Sequence, residues 1–567
     1  MLRRLLGFLL LISTASAAQL TVRIDLRWAG KPLVLNDVSL KNAAGNKLSI
    51  SRLAFLLSHA QLQRDNGAWI GADDWVAFLD AEKQRLSLVL TGIPAETFTA
   101  LRFDLGLDEA MDKSDPAKRA AGHPLHPDVN GLHWSWRGQY VFLAVEGRYQ
   151  PTEGPLDGFS YHLAGQPCRG TVEVPIALDL RGDQILTLGF DADRLFSAQH
   201  RIDIAAATST HSGDDGGLAG RFSDNAVQAF NILRLEPDLT QKTDTGPAEP
   251  SIPALIADRI PAHFPQASWP QDNPLTAAGV ALGRQLFSDS RLSINDTQSC
   301  ASCHIATAAF TDPRRVSIGA EGQAGTRNAM PLFNLAWKPS FFWDGRAPTL
   351  RDQVLRPIQD PTEMHETLDH VLTKLADLAP EFEKAFGSQE ITSDRIASAL
   401  EQFLLTRISA TSRMDRTLTH GEKLTEQEQR GFQLFFTESD PRRGIQGADC
   451  FHCHGGAHFT NNQFLNNGLD TAFADSGRST VTGKASDQGK FMVPSLRNVA
   501  LTAPYMHDGR FTTLEEVIDH YDHGLKSSAT LDPNLAKHIP QGGLRLSPED
   551  KSALVAFLKA LTDEGDD

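Results

Sequence analysis

Four of the five cysteines of this chain stand in two Cys-x-x-Cys-His groups, Cys300, Cys303 and His304 in one and Cys450, Cys453 and His454 in the other. This is the spacing that covalent attachment of a c-type haem requires. Both thiols of a group form thioethers with the haem vinyls, and the adjacent imidazole becomes the proximal iron ligand. A zinc site or a redox disulfide is the structural alternative, but neither asks for a histidine directly after the second cysteine in both groups. Cys168 is left over, as a small hydrophobe or the neighbour of a metal site.

The elements that must position these groups are legible in the patterning. A chain of 567 residues has room for several domains, each with its own core. With 41% hydrophobic and 22% charged residues the composition is that of a folded globular protein. The net charge is 54 − 70 = −16. It argues against a nucleic-acid partner, since nothing would neutralise phosphates. Residues 1–18 read as a secretory signal peptide: Arg3 and Arg4, an apolar run over 5–12, and small residues at Ala15 and Ala17. That run is too short for a membrane span and no other segment is apolar enough, so a periplasmic location without a stable membrane span is expected.

Residues 19–236 alternate apolar and polar residues in short runs at 21–28, 47–63, 75–79, 86–90, 99–107, 140–149, 159–163, 171–178 and 185–190. Period-two patterning broken by Gly, Pro and Asn predicts an all-β sandwich or barrel. Residues 237–254, rich in Pro, Thr, Asp and Glu, predict an extended tether. From 255 the period becomes helical, with helices predicted at 277–287, 350–359, 365–386, 393–409, 425–436, 513–521 and 547–561. Two haem motifs about 150 residues apart among such helices predict two cytochrome c-like lobes, 255–420 and 421–567.

After the first haem group, Trp343, Gln353 and Glu363 recur ten residues apart within FFWDGRAPTLRDQVLRPIQDPTEM. Together with NAMP after Arg327 and VPSLRNVALTAPYMHDGRFTTLEEVIDHY over 493–521, this resembles the bacterial dihaem cytochrome c peroxidase and MauG superfamily over residues 255–565. The resemblance implies that Glu363 and Gln353 line the distal pocket of a first haem open to hydrogen peroxide. It places Trp343 between the haems, and calcium between the lobes at Asn328, Thr502 and Pro504, the latter two through backbone oxygens. The residue types suit the chemistry. Heterolysis of a bound peroxide needs a group that removes one proton and returns it to the departing oxygen, work for a sheltered carboxylate such as Glu363. Gln353 only donates and accepts hydrogen bonds, so it would position water or peroxide. Without the resemblance, both residues read as a helix surface.

In the peroxidases of this superfamily a Met lies fourteen residues after the His of a Pro-Tyr-x-His-x-Gly segment and ligates the second haem. Counting from His507 gives Tyr521, the residue type that MauG-like enzymes carry there. A hard phenolate oxygen favours highly oxidised iron where a soft thioether does not, so the enzyme would store two oxidising equivalents and withdraw electrons from a protein tryptophan. The alternative is a packed Tyr521 with Met506, Met492 or His523 as ligand.

The segment HPLHPDVNGLHWSWRGQYVFLAVEG over 123–147, with ISRLAFLLSHAQL around His59 and FSYHLAG around His162, resembles the MbnP family of periplasmic copper-binding β proteins. In that family a dihaem partner oxidises a tryptophan to kynurenine, which helps to bind copper beside histidines. By this resemblance Trp134 and Trp136 are candidates for oxidation, and His59, His126, His133 and His162 are candidate copper ligands. Core and cross-strand packing is the structural alternative for the tryptophans. Substrate and enzyme would be fused on one chain, the tether keeping the N-terminal domain at high effective concentration. The competing expectations are a cytochrome c peroxidase that detoxifies hydrogen peroxide with a cytochrome or small-molecule electron donor, and a non-enzymatic dihaem electron carrier.

Overall fold

The computed structural model describes residues 18–564 apart from 73, 120–122, 135–137, 152–155, 211–216, 239–252, 262, 266, 268 and 440–443. The predicted signal peptide, most of the tether and Trp136 lie outside the described residues. The chain forms two compact units, Met1–Lys113, Tyr140–Pro151 and Ser160–Gly246 in the first, and Ser114–Gln139, Thr152–Phe159 and Pro247–Asp567 in the second. The predicted β domain of 19–236 thus gives up two segments to the second unit. The longer of them carries Pro124, Pro127, Gly131 and Gly138, residues that do not continue a strand ladder.

The first unit is a sandwich of two sheets. In one, Ala18–Trp28 pairs parallel with Gln184–Asp191 and antiparallel with Ser87–Ile93, and Phe230–Pro237 flanks Gln184–Asp191. In the other, Gly170–Asp179, Thr97–Leu105, Lys47–Arg64 and Gln139–Gln150 follow one another antiparallel. Alternate residues Leu20, Val22, Ile24, Leu26 and Trp28 are buried, as a period of two demands of a strand with one face on a core. The sheets meet through aromatic side chains: Phe55 stacks on Phe190 at 5.1 Å and Phe103 meets Phe230 edge-on at 5.1 Å. Burying each such side chain contributes about 1.5–3 kcal/mol. The central strand Lys47–Arg64 is buried without interruption from Leu53 to Ser58 and then breaks register between Ser58 and Gln61. That bulge holds His59 at φ 52°.

The second unit contains two helical lobes built by the same rule. In the first, Ala277–Phe287 crosses Ser393–Leu405, and in the second Glu426–Phe435 crosses Pro548–Lys559. A Cβ on Gly283 would overlap the Ala399 carbonyl, and one on Gly431 the Ala553 carbonyl, so each pair of helices approaches backbone to backbone. Thr276 and Thr425 cap the first helix of each pair with their hydroxyls. The predicted helix at 365–386 is two helices, Leu368–Lys374 and Ala379–Phe386, with a tight turn between them and Pro380 in the first turn of the second, where its missing N–H costs nothing. The predicted helix at 513–521 is regular over Leu514–Asp519 and continues as a π-helical turn over His520–Gly524.

Candidate haem centres and the copper-domain histidines

The two Cys-x-x-Cys-His groups are folded alike. In each, the backbone N–H of the histidine donates to the carbonyl of the first cysteine at 2.9 Å, closing one turn that brings both thiols and the imidazole together. His304 donates Nδ1–H to the Phe310 carbonyl at 2.9 Å, and His454 to the Phe459 carbonyl at 3.1 Å. Phe310 and Phe459 both have left-handed backbone, φ 55° and 51°, which turns those carbonyls toward the rings. A ring so fixed presents Nε2 to a metal. Burial lowers both imidazoles below the usual histidine range, His454 to about 4, so they stay neutral and ready to ligate.

The second group opens into a cavity lined by Cys450, Cys453, His454, Tyr521 and apolar side chains including Phe491, Val493 and Leu554. Its largely apolar walls suit a large flat macrocycle. A haem fits these residues: two thiols, a neutral imidazole and an apolar envelope.

Tyr521 enters that cavity from the π-helical turn, a distortion that often marks functional positions. Burial raises its phenol well above the ordinary value, with Cys453 and Cys450 adding to the effect and a hydrogen bond to Asn467 opposing it. The phenol therefore stays protonated until a strong positive charge is placed against it. Met506 and Met492 line the same cavity. His523 does not; its side chain is 62% exposed and its Nδ1 bonds Asp522 at 3.2 Å.

On the first haem's side, Glu363 sits in a turn fixed by backbone bonds, its N–H donating to the Asp360 carbonyl at 3.0 Å and its carbonyl accepting from Ala320 at 2.7 Å. Burial, and then the neighbouring Asp360 carboxylate, push the Glu363 carboxyl up to about 7, while the Arg346 guanidinium opposes them. Glu363 acts electrostatically on both Cys300 and Cys303, which ties its carboxyl to the first haem group. A carboxyl that titrates near neutrality both accepts and returns a proton. Gln353 is half-buried on the helix Leu350–Gln359. Asp360 and Arg346, which tune Glu363, carry no signal of their own in the sequence.

An internal repeat occurs in both lobes. FFWDGRAPTL at 341–350 and YMHDGRFTTL at 505–514 each form a small loop closed by a bridge, Phe341 with Ala347 and Tyr505 with Phe511. Both have left-handed backbone at equivalent places, Phe342 and Met506, then Gly345 and Gly509. Both end in a threonine N-cap, Thr349 or Thr513, that starts the next helix. Trp343 is thus the counterpart of His507. The Trp343 indole N–H donates to the Asn328 carbonyl at 2.8 Å, the Asn328 N–H donates to the His507 carbonyl at 2.8 Å, and Trp343 lines the second haem cavity. Asn328, Thr502 and Pro504, the predicted calcium residues, line that cavity together. The Asn328 amide NH₂ faces the Arg314 and Arg315 carbonyls at 3.3 Å.

Of the predicted copper ligands, His59 and His162 belong to the β unit, His126 and His133 to the segment 114–139 of the second unit. His59 lies between two carboxylates, Nε2 at 3.0 Å from Asp108 and Nδ1 at 3.4 Å from Asp104. His162 is buried with Nε2 at 2.8 Å from Glu146, which also pairs with Arg52 at 2.8 Å. His126 is buried, and burial pushes His133 down to about 4 against the pull of Asp115. Among the described residues, no cluster of close metal-ligating atoms contains any of these four histidines. Trp134 is buried, and Cys168 is a buried thiol.

A family description for di-haem cytochrome c peroxidase matches residues 277–423, and one for MbnP matches residues 17–212. The chain is 34% identical over 308 residues to the methylamine utilization protein MauG of Methylophilus methylotrophus, covering 54% of this chain and 86% of that protein. It is 34% identical over 307 residues to the cytochrome c551 peroxidase of Nitrosomonas europaea, covering 52% of this chain and 83% of that protein. Among solved structures, a MauG-like protein associated with microbial copper homeostasis is 37% identical with a TM-score of 0.49, covering 54% of this chain and 95% of that one. No described helix is long and apolar enough to cross a membrane. With its two Cys-x-x-Cys-His groups, each histidine fixed by a backbone carbonyl, the chain belongs to the di-haem cytochrome c peroxidase/MauG family of oxidoreductases and carries an MbnP domain ahead of the haem-bearing unit.

Proposed function

We propose that this protein uses hydrogen peroxide to oxidise a tryptophan of its own chain, Trp134 or Trp136, to kynurenine, completing a copper site of its MbnP domain for copper binding or homeostasis. The observation that carries this reading is that the segment 114–139, in which Trp134 is described, belongs to the haem-bearing unit. Oxidant and substrate are thus parts of one chain and one compact unit.

Two haems held through Cys300, Cys303 and His304 and through Cys450, Cys453 and His454 supply the redox chemistry. Glu363, titrating near 7, takes one proton from peroxide and returns it to the oxygen that leaves as water. Gln353 would position the peroxide, and Trp343, which lines the second haem cavity, would serve electron transfer. Tyr521 gives the second centre an oxygen donor suited to an oxidised metal. Each tryptophan consumes two peroxides: the indole C2–C3 bond breaks, each carbon gains an oxygen, two waters form, and hydrolysis of the resulting N-formyl group releases formate. Asn328, Thr502 and Pro504 would hold calcium. The new amine and carbonyl would help to bind copper, for which His59, His126, His133 and His162 are the candidate histidine ligands. Export by the N-terminal signal places the protein in the periplasm.

Peptide mass spectrometry of the haem-loaded protein before and after peroxide, on the tryptic fragment 120–137, tests the reading. A kynurenine mass is expected. Unmodified tryptophans with peroxide-reactive haems would overturn it and favour a peroxidase acting on an external electron donor.

A further inference from the structure

The second haem cavity is lined by Tyr521 and also by Met506, so a phenol and a thioether share one site. A thioether on haem iron raises its potential, whereas a hard oxygen donor favours the oxidised metal. What the second centre does therefore depends on which of the two ligates. Residue type does not settle the choice, because both side chains are present and both face the same cavity.

Asn467, on the wall of that cavity, is bonded to both. Its amide Nδ2 donates to Met506 Sδ at 3.3 Å, and its side chain also hydrogen-bonds the Tyr521 phenol. A carboxamide nitrogen carries two N–H groups, enough for one on each acceptor. The Asn467 backbone carbonyl accepts Nε2–H from His520, the residue before Tyr521, at 2.9 Å. One residue thus holds the π-helical turn, the phenol that the turn presents and the competing sulfur. Asn467 is itself fixed from behind. It follows the short strand Phe464–Leu465, which pairs with Phe491–Met492. Its neighbour Asn466 is buried, donates its amide to Ser528 at 3.0 Å and to Thr530 at 2.9 Å, and accepts from the Gly468 N–H at 2.9 Å.

We propose that Asn467 is the positioning residue that makes Tyr521, and not Met506, the sixth ligand of the second haem. It engages the thioether sulfur with one N–H and orients the phenol oxygen with the other. Groups that bond to ligands in this way set which atom a metal meets and how strongly it is held. The inference rests on the reading of Tyr521 as the oxygen donor of the second centre.

Absorption spectroscopy and redox titration of haem-loaded Asn467→Ala test it. The variant should gain the near-infrared charge-transfer band of a ferric haem with a thioether ligand, and the potential of its second haem should shift upward. Both changes should be lost again when Met506→Leu is added. A wild-type spectrum and potential in Asn467→Ala would overturn the proposal, as would a thioether band that survives Met506→Leu. Asn467→Leu, close to the same shape but without N–H donors, gives the same test should the alanine variant not fold. Tyr521→Phe separates this inference from the reading beneath it. An unchanged second-haem spectrum there would overturn the tyrosine ligand and this proposal with it. A changed one, beside a wild-type-like Asn467→Ala, would overturn the role of Asn467 alone.

Discussion

The two haem lobes share their Cys-x-x-Cys-His turns and differ in the polar side chains brought near them. Both use a Cys-x-x-Cys-His turn, both fix the histidine through a carbonyl turned inward by left-handed backbone, and both pack glycine to carbonyl where two helices cross. On the other side, the first lobe offers a carboxyl raised to about 7, and the second a buried phenol presented by a π-helical turn. The proximal apparatus is what holding a haem requires, so it repeats. Beyond it, the same loop and capped helix carry different side chains in the two lobes. Trp343 stands where the other copy has His507, and Tyr521 has no tyrosine counterpart in the first.

The largest effect expected from breaking this division is at Glu363. Glu363→Gln should keep both haems attached and reduce peroxide-driven tryptophan oxidation by about 10²–10⁴-fold, read by mass spectrometry of the 120–137 fragment over time. Full conversion in that variant would refute the acid-base role. Tyr521→Met should come next, raising the potential of the second haem alone in a redox titration and shifting turnover from tryptophan oxidation toward reduction of peroxide by an added donor. A raised potential at both haems would mean that the lobes are not independent.

Gly283→Ala and Gly431→Ala should each destabilise the protein by about 1–3 kcal/mol, since a methyl group at either must displace a helix backbone. Comparable losses in chemical denaturation would confirm that the lobes pack by the same rule. Glu363→Gln should also act on stability in a pH-dependent way. The wild-type carboxyl titrates near 7 when folded against 4.5 ordinarily, so its ionisation penalty is absent below about 4.5, grows to about 7 and is complete above. The variant should therefore gain about 1–3 kcal/mol over wild type at pH 8, with the gap closing toward pH 4. The smallest change is expected from Asp360→Asn. Removing that negative charge should move the Glu363-dependent limb of the pH profile toward lower pH with both haem spectra unchanged.

Much of this was legible without coordinates. The strand runs at 21–28 and 47–63 and the helices at 277–287 and 350–359 follow from period-two and period-3.6 burial, which are local properties of a chain. The haem groups are likewise local, since three neighbouring residues suffice. The internal repeat was present in the letters too, in the DGR shared by the two loops, but its meaning lay in backbone conformation. The helix expected across 365–386 failed because period alone gave no weight to Pro380, and the helix Leu218–Val227 was overlooked inside a stretch read as β.

The sequence by itself determined the two Cys-x-x-Cys-His groups and the two fold classes, because each depends on residue type and short-range spacing. Only the tertiary structure decided that burial, Asp360 and Arg346 set the proton affinity of Glu363, and that the segment 114–139 belongs with the haem-bearing unit. These depend on burial and on charges brought together from distant parts of the chain. Electrostatic effects and desolvation arise from that three-dimensional arrangement, which no spacing in the sequence encodes.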